Sequence, residues 1–123
     1  MKLAQDHGTA TYRIRAYEPG WIQVNDTTYE TSVMLMPDGL STAPAAESFE
    51  QLTRDDLQPA IDWQPELLLL GTGATQRFPE RTLMRALIAS GIGFEAMTTA
   101  AACRTFNLLM SEDRRAAALL LLR

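Results

Sequence analysis

Pro65-Glu-Leu-Leu-Leu-Leu-Gly-Thr-Gly73 decides the fold of this 123-residue chain. Its four consecutive leucines show no polar alternation, and a proline and two glycines leave no room for a helix. The stretch therefore reads as a strand buried on both faces, the kind found in parallel sheets with helical crossovers. Downstream, Pro79 is placed as the first residue of a helix running to about Ser90, with Gly91 as its stop. Leu83 with Leu87, and Met84 with Ile88, form a broad apolar stripe at i,i+4 spacing, while Arg81 and Arg85 share the solvated side. Phe94 to Met97 reads as a second short strand. Thr98 or Thr99 caps a helix from about Ala100 to Met110 that buries Ala102, Phe106, Leu109 and Met110. Ala116 to Leu122 is open to two readings. Alanine and leucine favour a helix that Ser111-Glu112-Asp113 would cap, but seven unbroken apolar residues also suit a buried parallel strand. A strand completes a βαβαβ half over 65–122 and is the reading adopted.

Upstream the pattern changes. Residues 1–10 read as a loose lead-in, and 11–64 as mainly antiparallel strands. Tyr12 to Tyr17 alternates, with Tyr12, Ile14 and Ala16 on one face. Glu18-Pro19-Gly20 is a turn, Trp21 to Val24 a second strand, and Asn25-Asp26 another turn. Tyr29 to Met36 follows as a third strand, which Pro37-Asp38-Gly39 stops. Short turns between three strands predict an antiparallel meander. Leu40 to Gln51 reads as loop. Thr53 resembles an N-cap followed by the acids Asp55 and Asp56, on a helix that Pro59 should keep short. The expected fold is thus α/β: one three-layer domain over 1–123, an N-terminal meander plus a C-terminal βαβαβ unit.

Composition narrows the function classes. With 46% hydrophobic and 21% charged residues the chain is ordinary for one globular core. Its net charge of −4 and lack of a basic stripe argue against nucleic acid. Lys2 is the only lysine, which argues against a Schiff base. Cys103 is the only cysteine, so neither an internal disulfide nor a cysteine-built zinc site can form. The apolar runs at 67–70 and 116–122 fall far short of the about 20 residues a membrane span needs. The first ten residues carry neither a secretory nor a transit-peptide pattern, so the cytoplasm is the expected location.

In open α/β sheets a ligand binds beyond the carboxyl ends of the parallel strands. Here that edge carries residues 71–78 and 98–104, both leading into helix N-termini that favour an anion. Arg77 sits in the first loop, and Arg104 shares a helix face with Asn107. The candidate binding set is Gly71, Thr72, Gly73, Arg77, Thr98, Thr99, Cys103, Arg104 and Asn107, suited to a carboxylate, a phosphate or an acidic side chain of a partner. The glycines match neither the dinucleotide fingerprint nor a P-loop, and a tight turn explains them equally. Cys103 reads as a packed small hydrophobe or, in a first helical turn, as an activated thiol. Its one available base, His7, lies in the lead-in. Trp21 and Trp63 read as core or rim aromatics, and Asp55, Asp56, Glu112 and Asp113 as helix-end charges. No catalytic set assembles, no cofactor is called for, and no metal site is expected.

Four motifs together, Pro65 to Gly73, Arg77-Phe-Pro79, Ser90-Gly-Ile-Gly93 and Thr98-Thr-Ala-Ala-Ala-Cys-Arg-Thr-Phe-Asn107, closely resemble one family. It includes the mitochondrial respiratory complex I assembly factor three and many uncharacterised bacterial and archaeal proteins. The likeness spans about residues 10–122 and is strongest over 65–110. It implies a three-layer α/β fold and supports a strand at 116–122. Because the mitochondrial relatives are assembly or scaffold factors, it also implies a non-catalytic binding protein, with a membrane-complex subunit as one class of partner. The alternatives are a binder of a small anion or nucleotide-like ligand, with Cys103 as a nucleophile, and a domain whose apparent pocket is only packing. A homodimer through the edge of the meander is a further expectation.

Overall fold

The computed structural model describes residues 11–123. Its centre is a five-stranded mixed sheet, ordered β5-β4-β8-β6-β7. The strands are β4 (Val33–Met36), β5 (Gly39–Ser41), β6 (Leu67–Thr72), β7 (Gly93–Met97) and β8 (Ala116–Leu121). β6 runs parallel to both β7 and β8, and β8 pairs antiparallel with β4. The C-terminal apolar run is therefore a strand, and it lies inside the sheet. Every residue of β8 is fully buried. Ala116, Ala118 and Leu120 face one layer, while Ala117, Leu119 and Leu121 face the other. Burial on both faces explains why this strand carries no polar alternation.

The helices are α1 (Arg54–Trp63), α2 (Arg81–Ala89) and α3 (Thr99–Ser111). α2 connects β6 outward to β7, and α3 returns over β6 to β8. Right-handed crossovers in opposite directions place the two helices on opposite faces. α1 and α2 cover one face through Leu57, Ala60, Ile61, Leu83 and Leu87. α3 covers the other through Ala102, Phe106, Leu109 and Met110, together with the three-stranded sheet β1 (Ile14–Glu18), β2 (Trp21–Val24) and β3 (Thr27–Tyr29). Three layers result.

The N-terminal half departs from the sequence expectation. The expected strand from Tyr29 to Met36 is two strands in two sheets: Tyr29 pairs with Ile22 of the meander, and Val33 with Leu120 of the central sheet. The cause lies in the side chains. Val33 and Leu35 enter one core and Met34 the other, a two-sided demand that the meander cannot satisfy. β4 ends at Met36 as expected, and Pro37-Asp38 turns the chain into β5, with Met36 opposite Gly39. Residues 40–51 accordingly hold a strand and a single 3-10 turn at Phe49–Gln51 as well as loop.

Pro59 does not shorten α1. It is exposed, so the Asp55 carbonyl it leaves unpaired can face water. α1 starts as expected at Thr53, whose N–H and hydroxyl lie 2.9 and 3.1 Å from Asp56 Oδ2. Asp56 is buried rather than solvated: its Oδ1 accepts from the N–H groups of Ala45 and Ala46 at 2.9 and 3.2 Å, pinning the preceding loop to the helix. α2 begins at Arg81, two residues after Pro79. Its buried stripe is only Leu83 and Leu87, with Ile88 exposed. Gly91, at φ +77, closes it in a Schellman arrangement, with Gly91 N–H on Ile88 O and Ile92 N–H on Leu87 O.

Candidate functional site

The nine candidate residues do not form one pocket. Five of them fill the crevice over the carboxyl ends of β6 and β8. Thr99 is the hub: its N–H donates to Gly73 O at 2.9 Å, and its Oγ1 accepts from Gly73 N–H at 2.8 Å. The same hydroxyl donates to Leu121 O at 2.5 Å. Gly71 is glycine because a Cβ there would stand 2.9 Å from Thr99 Oγ1 and 3.0 Å from Thr99 Cα. Gly73 combines φ +91 with backbone contact, since a Cβ would meet Arg123 O at 2.8 Å. Thr72 Oγ1 lies 2.7 Å from Thr75 O and 3.1 Å from Met97 O. Thr98 Oγ1 accepts the Ala101 N–H at 3.2 Å and caps α3. The N-terminus of α3 is thus occupied by the protein's own Gly73 carbonyl and Thr98 hydroxyl. The Thr99 and Ala101 N–H groups at this helix end are therefore already bonded within the chain.

Arg77 leaves this group altogether. Its guanidinium pairs with Glu50 and lies 4.7 Å from the centre of the Phe49 ring, on the α1/α2 side of the sheet. That contact holds the Glu50 carboxyl below the usual carboxylate range. Beside it Phe78 is 69% exposed, at the tip of an exposed loop over 74–78.

The remaining three, Cys103, Arg104 and Asn107, line a groove of about 250 Å³ on the opposite side of the sheet, between α3 and β1. Its other wall is Ile14, Arg15, Ala16 and Tyr17. Asn107 is a brace, as Oδ1 accepts from Ile14 N–H at 2.9 Å and Nδ2 donates to Ile14 O at 2.7 Å. It completes the outer edge of β1 as a neighbouring strand would. Cys103 is 6% exposed, and burial pushes its thiol up to about 12, opposed weakly by Arg104. That environment suppresses the thiolate a nucleophile needs. His7, the one base available to it, lies outside the described residues. Burial also raises the Tyr17 phenol above its usual range. The Tyr17 oxygen is enclosed beside the Thr99 hydroxyl, without a bond of normal geometry among the described residues.

Sequence reasoning missed Arg15 and Tyr17. Simple alternation sends Arg15 to solvent, but the pairing register shifts between Ile14 and Ala16. The resulting β-bulge brings four consecutive residues to the groove. No residue type in 12–17 announces a bulge.

Another concavity, of about 370 Å³, contains none of the nine. It lies at the amino ends of β6 and β8 and is lined by residues including Trp63, Met110 and Arg115. Arg115 stacks 4.0 Å from the centre of the Trp63 ring and donates to the carbonyls of Trp63 and Gln64 at 2.6 and 3.1 Å. This is a brace between α1 and β8. Among the described residues no group of three or more histidine, cysteine or acidic side chains is arranged to hold a metal, and no helix is long and apolar enough to cross a membrane.

Comparison with known proteins bears on this site. The chain is 31% identical over 122 residues, 98% of its length and 70% of the relative's, to NADH dehydrogenase [ubiquinone] 1 alpha subcomplex assembly factor 3 of Danio rerio. A crystal structure of a Bordetella parapertussis protein matches with a TM-score of 0.85 at 37% identity, covering 94% of this chain and 98% of that one. An outer membrane protein from Bartonella henselae matches with a TM-score of 0.82 at 31% identity, with 94% and 98% covered. The model of the protein family of unknown function DUF498/DUF598 matches residues 14–121, and the chain belongs to that family.

Proposed function

We propose that the protein is a non-catalytic binding protein of the assembly-factor kind, holding a protein partner through the surface beside the carboxyl ends of its parallel strands. One observation carries this reading. Where an open α/β sheet ordinarily admits a small ligand, Gly71, Gly73 and Thr99 fill the crevice and satisfy one another. Around that plug the chain presents exposed groups instead: Arg77 and Phe78 on one side of the sheet, Arg104 on the other. The likeness to a complex I assembly factor supports the same reading, with a subunit of a membrane complex as the class of partner. The suppressed thiol of Cys103 weighs against the enzymatic alternative. The protein would act in the cytoplasm, meeting such a complex at its surface.

The test is affinity purification of the tagged protein from its native cells after mild cross-linking, with detergent-solubilised membranes included. Arg77→Ala and Arg104→Ala variants run separately, because the two side chains lie on opposite sides of the sheet. A defined complex that either variant loses supports the reading. Equal recovery in both variants, or a small molecule retained in native mass spectrometry without any protein partner, contradicts it.

A further inference from the structure

Arg15 and Arg104 stand on the two rims of the groove between β1 and α3. Arg77, Arg114 and Arg123 are each held by a glutamate, whereas Arg15 and Arg104 have no ion pair or hydrogen bond among the described residues. Both are exposed. Arg15 sits at the register shift between Ile14 and Ala16 and is among the residues that line the groove. Asn107, bonded twice to Ile14, fixes the distance between the walls. The Tyr17 hydroxyl is enclosed beside Thr99, so Tyr17 lines the groove without offering its hydroxyl to a ligand. On a chain of net charge −4 the groove thus carries two arginine side chains on its rims, with Glu18 following Tyr17 along β1.

We infer that this groove receives a carboxylate side chain from an acidic segment of the partner protein, gripped between Arg15 and Arg104. The inference rests on the assembly reading above. Size favours a side chain: about 250 Å³ is below the roughly 300–1,000 Å³ of a typical small-molecule site. Charge selects the chemistry, since guanidinium groups bind carboxylates with short, paired hydrogen bonds. Exposure selects a tethered ligand. A free carboxylate on solvated arginines gains little over water, but the same contact inside a protein interface is desolvated.

The probe is the capped peptide acetyl-Gly-Ser-Glu-Glu-Ser-Gly-amide, titrated into the 15N-labelled protein and followed by NMR, with the Gln-Gln counterpart and inorganic phosphate as separate arms. Saturable shifts are expected at Arg15 to Tyr17 and at Cys103 to Asn107. Affinity should fall about tenfold or more in Arg15→Ala/Arg104→Ala. Tyr17→Phe, whose enclosed hydroxyl the peptide does not reach, should bind the peptide as the wild type does. Absent shifts, equal binding of the Gln-Gln peptide, or phosphate binding more tightly than the acidic peptide would overturn the inference. If the arginine variants lose the cellular partner while the peptide fails to bind, the assembly reading survives and only this assignment falls.

Discussion

The crevice at the carboxyl ends of β6 and β8 is built from glycines and threonines, the groove between β1 and α3 carries arginines on its rims, and the two treat their polar groups differently. In the crevice Thr99 spends its amide and its hydroxyl on Gly73 and Leu121, and glycines remove the last space. In the groove the side chains of Arg15 and Arg104 have no ion pair or hydrogen bond among the described residues. A threonine or glycine at a strand end is therefore no sign of a ligand until its partners are counted. The first region should answer to measurements of stability, the second to measurements of binding.

The largest effect should come from breaking the sealed region. Thr99→Val keeps the shape but orphans the buried Gly73 N–H and Leu121 carbonyl, at about 1–3 kcal/mol each. Chemical denaturation should show that loss with an unchanged slope. The brace between the regions comes next. Asn107→Ala frees both backbone groups of Ile14, which water can partly reach, so about 1–3 kcal/mol in total is expected, with faster amide exchange along β1. Chemistry at the groove floor gives a rate. With its thiol pushed up to about 12, Cys103 in the folded protein should react with iodoacetamide at pH 8 roughly a hundredfold or more slower than in urea. A raised acid favours the folded state only while it stays protonated. The Cys103 contribution should therefore decline as pH climbs through the ordinary thiol range toward 12. The smallest effect on stability belongs to the groove rims, where Arg15→Ala/Arg104→Ala should change unfolding free energy by no more than about 0.5 kcal/mol.

Legibility in the sequence followed the same division. The leucine run at 67–70 and the capped helix after Thr98 were readable because flanking proline and glycines, caps and helical spacing mark them, whereas the unbroken apolar run at 116–122 suited a helix as well as the strand it forms. The exchange of strands between sheets at Glu30–Ser32 was not, because both halves of 29–36 have strand propensity and only the tertiary partners separate them. Among site residues, sequence gathered Arg104 and Asn107 correctly onto one helix face. It could not foresee that Arg77 turns to Glu50, a contact 27 positions away, or that a bulge recruits Arg15. Such pairings depend on how the layers meet, and no local pattern encodes them.

The most direct measurement is partner recovery per folded molecule, by cross-linked affinity purification, for Thr99→Val and Arg15→Ala/Arg104→Ala side by side at a temperature where both are folded. The account predicts full recovery with Thr99→Val and loss with the arginine pair. Loss with Thr99→Val and full recovery with the arginine pair would contradict it, and would move the binding site back to the crevice.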